Sequence, residues 1–330
     1  SDGETAKIGG LFQDYIGALP AADMTSIQAP FIIRSRLATV DFAQLASSDS
    51  SPGGATISRS LALNLFPDFF VTAVINKVQR NSSGSYSWVG SIDGMPLSSV
   101  TLVVDGNRVV GNISTMRGSF QIRYATEGGV HAIHQVDPSK FPPDKEPLVP
   151  PKSFSDKQGS SAPATAQGDD GAIIDVLVVY TESARTTAGS VNAMNALIDL
   201  AEIETNTSLS NSGIGFLIRV VRKEEVVYSE TGFSFSQALS DVTAGLIPKV
   251  VPLRDTYGAD VVVFLVKGDN SQCGLSWLMD PVSSAFESKA FAVVQQSCAT
   301  GVYSFGHEIG HILSARHDRA SDNTNSPFAY

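Results

Sequence analysis

The stretch from Phe305 to Asp318 reads FGHEIGHILSARHD. His307 and His311 are four residues apart, which on a helix leaves them about 40° apart on one face, so both imidazoles can reach one metal ion. Glu308 projects beside them, near enough to polarise a bound water but not aligned as a ligand. His317 follows His311 by six residues, too far round to join if the helix continued. The spacing therefore predicts a sharp turn after Leu313 that brings His317 back as a third ligand. Three imidazoles and an open fourth position are what a catalytic zinc ion, Zn2+, needs. Zinc lowers the pKa of its water to roughly 7 and polarises a scissile carbonyl, while Glu308 takes the water's proton and passes it to the leaving amine. The bland reading is a chance match of H-E-x-x-H in an ordinary helix. Against it, three of the chain's five histidines fall within 11 positions.

Outward from this motif, the chain of 330 residues, 42% hydrophobic and 17% charged, has a globular composition and enough length for two domains. The net charge of −10 is unevenly held: 13 Lys and Arg face 14 Asp and Glu up to residue 168, but 10 face 19 after it. An acidic balance without a basic stripe argues against nucleic acid and anionic membrane as partners. The apolar run Ala172 to Tyr180 is short and interrupted by Asp175, so no stretch is long enough to span a bilayer. The opening SDGETAKIGG lacks the charged and apolar regions of an export signal. Cys273 and Cys298, 25 residues apart, are either a disulfide or two buried thiols. A disulfide there would be worth roughly 3.5 kcal/mol at most.

Seven of the 16 prolines lie between residues 138 and 163, followed by a stretch with almost no large apolar side chain. Such a strap favours extended geometry and cannot bury enough surface to fold alone. Before it, short alternating runs at 86–92, 99–104, 108–113, 119–124 and 130–135 are separated by turns such as Asp105-Gly106-Asn107 and Arg117-Gly118, which predicts a β-meander from Leu61 onward. His131 and His134 fall on opposite faces of one predicted strand and read as structural or surface residues. After the strap, strand and helix alternate. A buried strand is expected at 173–180, then a helix capped by Ser190 with Val191, Met194, Leu197, Ile198 and Ala201 on one face. A strand at 216–228, a helical region at 235–257 broken at Pro248 and Pro252, and a buried strand at 259–266 complete an α/β sheet with packed helices.

HEIGHILSARHD resembles the extended zinc signature H-E-x-x-H-x-x-G-x-x-H of the metzincin metallopeptidases, and Asp318 after the third histidine resembles their adamalysin/reprolysin branch and its secreted bacterial members. CGLSWLM, AFAVVQQSC and YSFGHEIGH look like that branch's edge strand, inner strand and active-site helix, and residues 1 to 137 look like its propeptide. The resemblance implies a metzincin-like α/β catalytic domain, with a twisted mixed sheet plus helices, over residues 172–330. A β-rich propeptide at 1–137 and a linker with the activation cleavage region at 138–171 would precede it. It also implies His307, His311 and His317 on zinc, Glu308 as general base, and Gly274, Leu275, Ser276 and Trp277 as the strand that pairs with an extended peptide substrate. Trp277 reads equally well as a packing residue.

Two departures stand out. Ser314 occupies the helix-ending position where the family has Gly, at a strain of order 1 kcal/mol, and the turn is expected to survive. The last methionine is Met279 and the chain stops 13 residues after His317, so the family's Met-turn is missing and a truncated C-terminal part is expected. Because no Cys precedes Cys273, a propeptide thiol cannot cap the zinc. The β-meander body and the strap are then expected to block the cleft, with Asp144 or Asp156 as candidate carboxylates on the metal and solvated charges as the plainer reading. The sequence thus suggests a secreted zinc endopeptidase held as a zymogen, its own propeptide serving as inhibitor and proteins or peptides as substrates. The contrasting reading is a catalytically silent exported metal-containing binding protein. A non-catalytic descendant has little reason to keep Glu308.

Overall fold

The computed structural model describes residues 9–17, 29–45, 59–126, 128–150 and 173–318. Asp156, the cleavage region at 168–172 and the C-terminal tail from residue 319 lie outside them. The chain forms two compact units, one of residues 1–141 with 187–200, the other of residues 142–186 with 201–330.

The first unit is a nine-stranded antiparallel sheet. Its strands are β1 (Phe12–Asp14), β2 (Ile32–Val40), β3 (Arg59–Phe66), β4 (Phe69–Arg80), β5 (Tyr86–Ile92), β6 (Ser99–Asp105), β7 (Arg108–Thr115), β8 (Gly118–Thr126) and β9 (Val130–Val136). The order β1-β2-β9-β8-β7-β6-β5-β4-β3 makes β3 to β9 a continuous meander. Gly106 (φ 58°) and Gly118 (φ 146°) supply the positive φ that its tight turns need. The two edge strands also meet: the Leu11 N–H donates to Ala62 O at 2.9 Å, and the Asn64 amide exchanges two bonds with the Phe12 backbone. That pairing satisfies backbone groups an open edge would expose. Leu63, Ile75, Trp88, Leu102, Ile113, Phe120 and Ile122 fill the core. His131 and His134 do not reach the surface, being 0% and 3% exposed. Strand β9 is covered on both faces, so alternation cannot bring either ring to solvent.

The second unit holds a mixed sheet in the order β11-β10-β12-β14-β13. Strands β10 (Ile173–Thr181), β11 (Leu217–Val226), β12 (Val261–Val266) and β14 (Phe291–Gln295) are parallel, and the edge strand β13 (Gly274–Ser276) runs antiparallel to β14. All six residues of β12 are buried, as a strand covered on both faces requires. Helices α3 (Phe235–Thr243) and α4 (Val250–Tyr257) seal a core of Leu177, Val179, Leu239, Phe264 and Val293. A short α1 (Glu182–Ala188) precedes α2 (Val191–Asn211), whose first turn is capped by Ser190 Oγ accepting from the Ala193 N–H at 3.1 Å. Met194, Leu197, Ile198 and Ala201 of α2 are buried, but Val191 is 46% exposed, because the first helical residue precedes the packed stripe. The helical region breaks before Val250 and not at Pro252. Pro252 is the third residue of α4, where a backbone N–H would have no intrahelical partner to lose.

Candidate metal centre and its base

Helix α5 (Ser304–Ile312) carries the first two histidines and packs on β12, β13 and β14. It can approach α2 closely because residue 306 is glycine: a Cβ there would lie 2.9 Å from Thr205 Oγ1. The helix ends in a Schellman motif, with the Ser314 N–H bonded to His311 O at 3.0 Å and the Ala315 N–H to Gly310 O at 2.9 Å. Ser314 takes the left-handed conformation, φ 76°. Its hydroxyl donates to Met279 O at 2.6 Å, which offsets the strain. The turn reverses the chain and carries His317 back to the helix.

His307 Nε2 lies 3.0 Å from His311 Nε2 and 3.0 Å from His317 Nε2. Three nitrogens on a tetrahedral zinc at 2.0–2.1 Å would be separated by about 3.3 Å, so the set fits that ion closely. The outer nitrogens are engaged: His311 Nδ1 lies 2.8 Å from Ala315 O and His317 Nδ1 lies 3.0 Å from Glu146 Oε1. An Nδ1–H committed to an oxygen leaves Nε2 as the lone-pair nitrogen a metal requires. Burial lowers the His307 and His311 pKa to about 4, favouring the neutral, ligating form.

Glu308 is 1% exposed. Its Oε2 accepts from Ser276 Oγ at 2.6 Å, whereas Oε1 is buried with no hydrogen-bond partner among the described residues. Burial is the main cause that raises its pKa to about 8, the Ser276 bond opposing and Asp144 adding to the rise.

The edge strand differs from a row of substrate-facing side chains. Gly274, Leu275, Ser276 and Trp277 are all buried; Leu275 and Trp277 belong to the core, and Trp277 Nε1 donates to Thr243 Oγ1 at 2.8 Å. Only its backbone is turned outward for pairing, and the strap takes that place. The Leu148 N–H donates to Ser276 O at 2.9 Å and Leu148 O accepts from the Leu278 N–H at 2.8 Å, a parallel bridge. Asp144 of the same segment lies with His307 and Glu308 in a cluster whose ligand atoms are all within 4.8 Å. Cys273, next to β13, is disulfide-bonded to Cys298 just before α5. The strap's pairing at Ser276 and Leu278 and the Ser276–Glu308 contact were not legible in the sequence, since each joins segments far apart in the chain.

A helix-borne histidine pair, a third histidine returned by a turn and a buried glutamate beside a mixed sheet with an antiparallel edge strand make a group that could hold a metal ion next to a carboxylate. Residues 170–329 match Reprolysin_5, described as Metallo-peptidase family M12. The chain is 35% identical over 277 residues to a peptidyl-Asp metalloendopeptidase of Xanthomonas campestris pv. campestris, and 33% identical over 287 residues to one of Stenotrophomonas maltophilia. Each alignment takes in 79% of this chain, which spans 64% of each relative's length. Among solved structures, metalloproteinase-II from Bacteroides fragilis aligns with a TM-score of 0.48 at 12% identity, covering 83% of this chain and 84% of that one.

Proposed function

We propose that the chain is a zinc-dependent metalloendopeptidase in zymogen form, with His307, His311 and His317 holding the metal and Glu308 acting as general base. The observation that carries this reading is the division of the Glu308 carboxylate: one oxygen is anchored by Ser276, the other has no hydrogen-bond partner among the described residues, and the group clusters with His307, one of three imidazoles whose Nε2 atoms converge. Zinc bound there supplies Lewis acidity toward the scissile carbonyl and makes water acidic enough to attack near neutral pH. Glu308 Oε1 accepts the attacking water's proton and returns it to the leaving amine nitrogen, so one C–N bond breaks as one C–O bond forms. The outward backbone of β13 and the residues just after it, Ser276 O and the Leu278 N–H, holds the substrate chain extended by strand addition. Latency comes from the strap, which uses the same backbone groups and keeps Asp144 beside His307 and Glu308. The Cys273–Cys298 disulfide supports residence in an oxidising, extracellular compartment. No helix among the described residues is long and apolar enough to cross a membrane.

The test is peptide hydrolysis by zinc-loaded protein, with Asp-containing peptides tried first because the relatives' name points to them. A chelator should stop cleavage, and Glu308→Gln should lower kcat by about 10²–10⁴-fold while zinc content stays at one ion per chain. Zinc binding without hydrolysis in the strap-free protein would favour the silent binding protein instead.

A further inference from the structure

We propose that Gly274 and Ser276 form the seat that fixes the Glu308 carboxylate, so that they are positioning residues for the base and not side chains that meet substrate. The inference rests on Glu308 being that base. The two residues are separated by one position on β13, and in a strand that spacing puts them on one face. Leu275 between them belongs to the hydrophobic core. Ser276 is 0% exposed and donates to Glu308 Oε2 at 2.6 Å. Gly274 acts by what it lacks: a Cβ at that position would lie 2.5 Å from Glu308 Oε1, 2.7 Å from Cγ and 2.8 Å from Cδ. Any larger residue would have to displace the carboxylate. The Gln272 side chain donates to Gly274 O at 2.9 Å, holding this part of the strand.

Each contact restrains a different part of the same group. A glutamate side chain is rich in rotamers, and ordering one costs entropy that a lone hydrophobic neighbour does not offset. Here the hydroxyl binds one oxygen and the glycine backbone closes the space beside the other. The anchored oxygen is thereby distinguished from Oε1, which keeps its lone pairs for a proton. A carboxylate hydrogen bond is among the stronger ones, and losing it leaves a buried oxygen unpaired.

Two measurements test this. In the zinc-loaded 330-residue chain, Ser276→Ala should lower kcat about 10–100-fold with KM unchanged, and Ser276→Thr, which keeps the hydroxyl, should recover much of the loss. A rise in KM with kcat intact would show that Ser276 serves substrate binding and would overturn the proposal. The second measurement is thermal unfolding of the metal-free 330-residue chain. Gly274→Ala should lower Tm by several degrees in the natural background, but much less beside Glu308→Ala, which removes the carboxylate a Cβ would strike. Equal losses in both backgrounds would mean that Gly274 does not seat Glu308. If the unsubstituted zinc-loaded protein cleaves no peptide, the peptidase reading fails while this unfolding cycle still decides the seat.

Discussion

Ser314 brings two opposing local effects together at the point where the third histidine is returned. Its left-handed φ of 76° costs a side-chain-bearing residue of order 1 kcal/mol, and the 2.6 Å hydrogen bond to Met279 O returns about as much. Ser314→Ala keeps the strain and loses the bond, so it should destabilise the second unit by about 1 kcal/mol. Ser314→Gly loses both and should be close to neutral. Urea unfolding of the two variants, compared at equal m-values, checks the sign; a Gly variant less stable than the Ala variant would show that the backbone bears no strain. At this scale the convergence of His307, His311 and His317 was legible, because a four-residue spacing fixes a helix face and a six-residue spacing demands a turn. The Ser276 contact was not, because the hydroxyl and Glu308 are 32 positions apart and meet only through the packing of α5 on β13.

Strand β9 shows what burial does to an element that alternation alone describes incompletely. The Val109 N–H donates to His131 Nε2 at 2.9 Å, which requires Nε2 to be unprotonated and the Nδ1–H to donate to Gly129 O at 2.9 Å. His134 Nδ1 lies 2.7 Å from Ser35 Oγ. Burial is the leading cause that lowers the pKa of His131 to about 4 and of His134 to about 3. An unfolded chain takes up these protons near pH 6.5 and the folded unit does not, so stability is present above that pH and falls as pH drops toward about 4. The nine-stranded unit should therefore unfold at lower urea concentration at pH 4.5 than at pH 7, and replacing both histidines by Gln should flatten the profile. An unchanged midpoint between those pH values in the natural chain would refute it. The meander strands were legible because turns punctuate them, and β5 spans 86–92 as read. Strands β1 and β2 were not read: Ile32–Val40 carries Arg34, Ser35 and Arg36 among its apolar residues, and its partner β9 lies roughly a hundred positions away.

On the scale of the molecule, the proposed latency rests on the strap. Its proline content predicts an extended segment, but composition does not specify a neighbour, and among the described residues Leu148 pairs by backbone beside β13. The segment brings two carboxylates with different tasks. Asp144 stands with His307 and Glu308, whereas Glu146 lies 3.0 Å from the far nitrogen of His317. A blocking group and an orienting group should respond oppositely to removal. Asp144→Ala should raise the peptide hydrolysis of the intact zinc-loaded chain several-fold, because it removes the carboxylate beside His307 and Glu308 and leaves the pairing with β13 to backbone bonds that a substrate can replace. Glu146→Ala should instead weaken zinc binding about tenfold, since His317 loses the partner that fixes its tautomer and ring orientation. Zinc titration against a competing chelator separates the two: Asp144→Ala that also lost zinc affinity tenfold would make Asp144 part of the metal's own support, and the strap would then assist the centre it was thought to block.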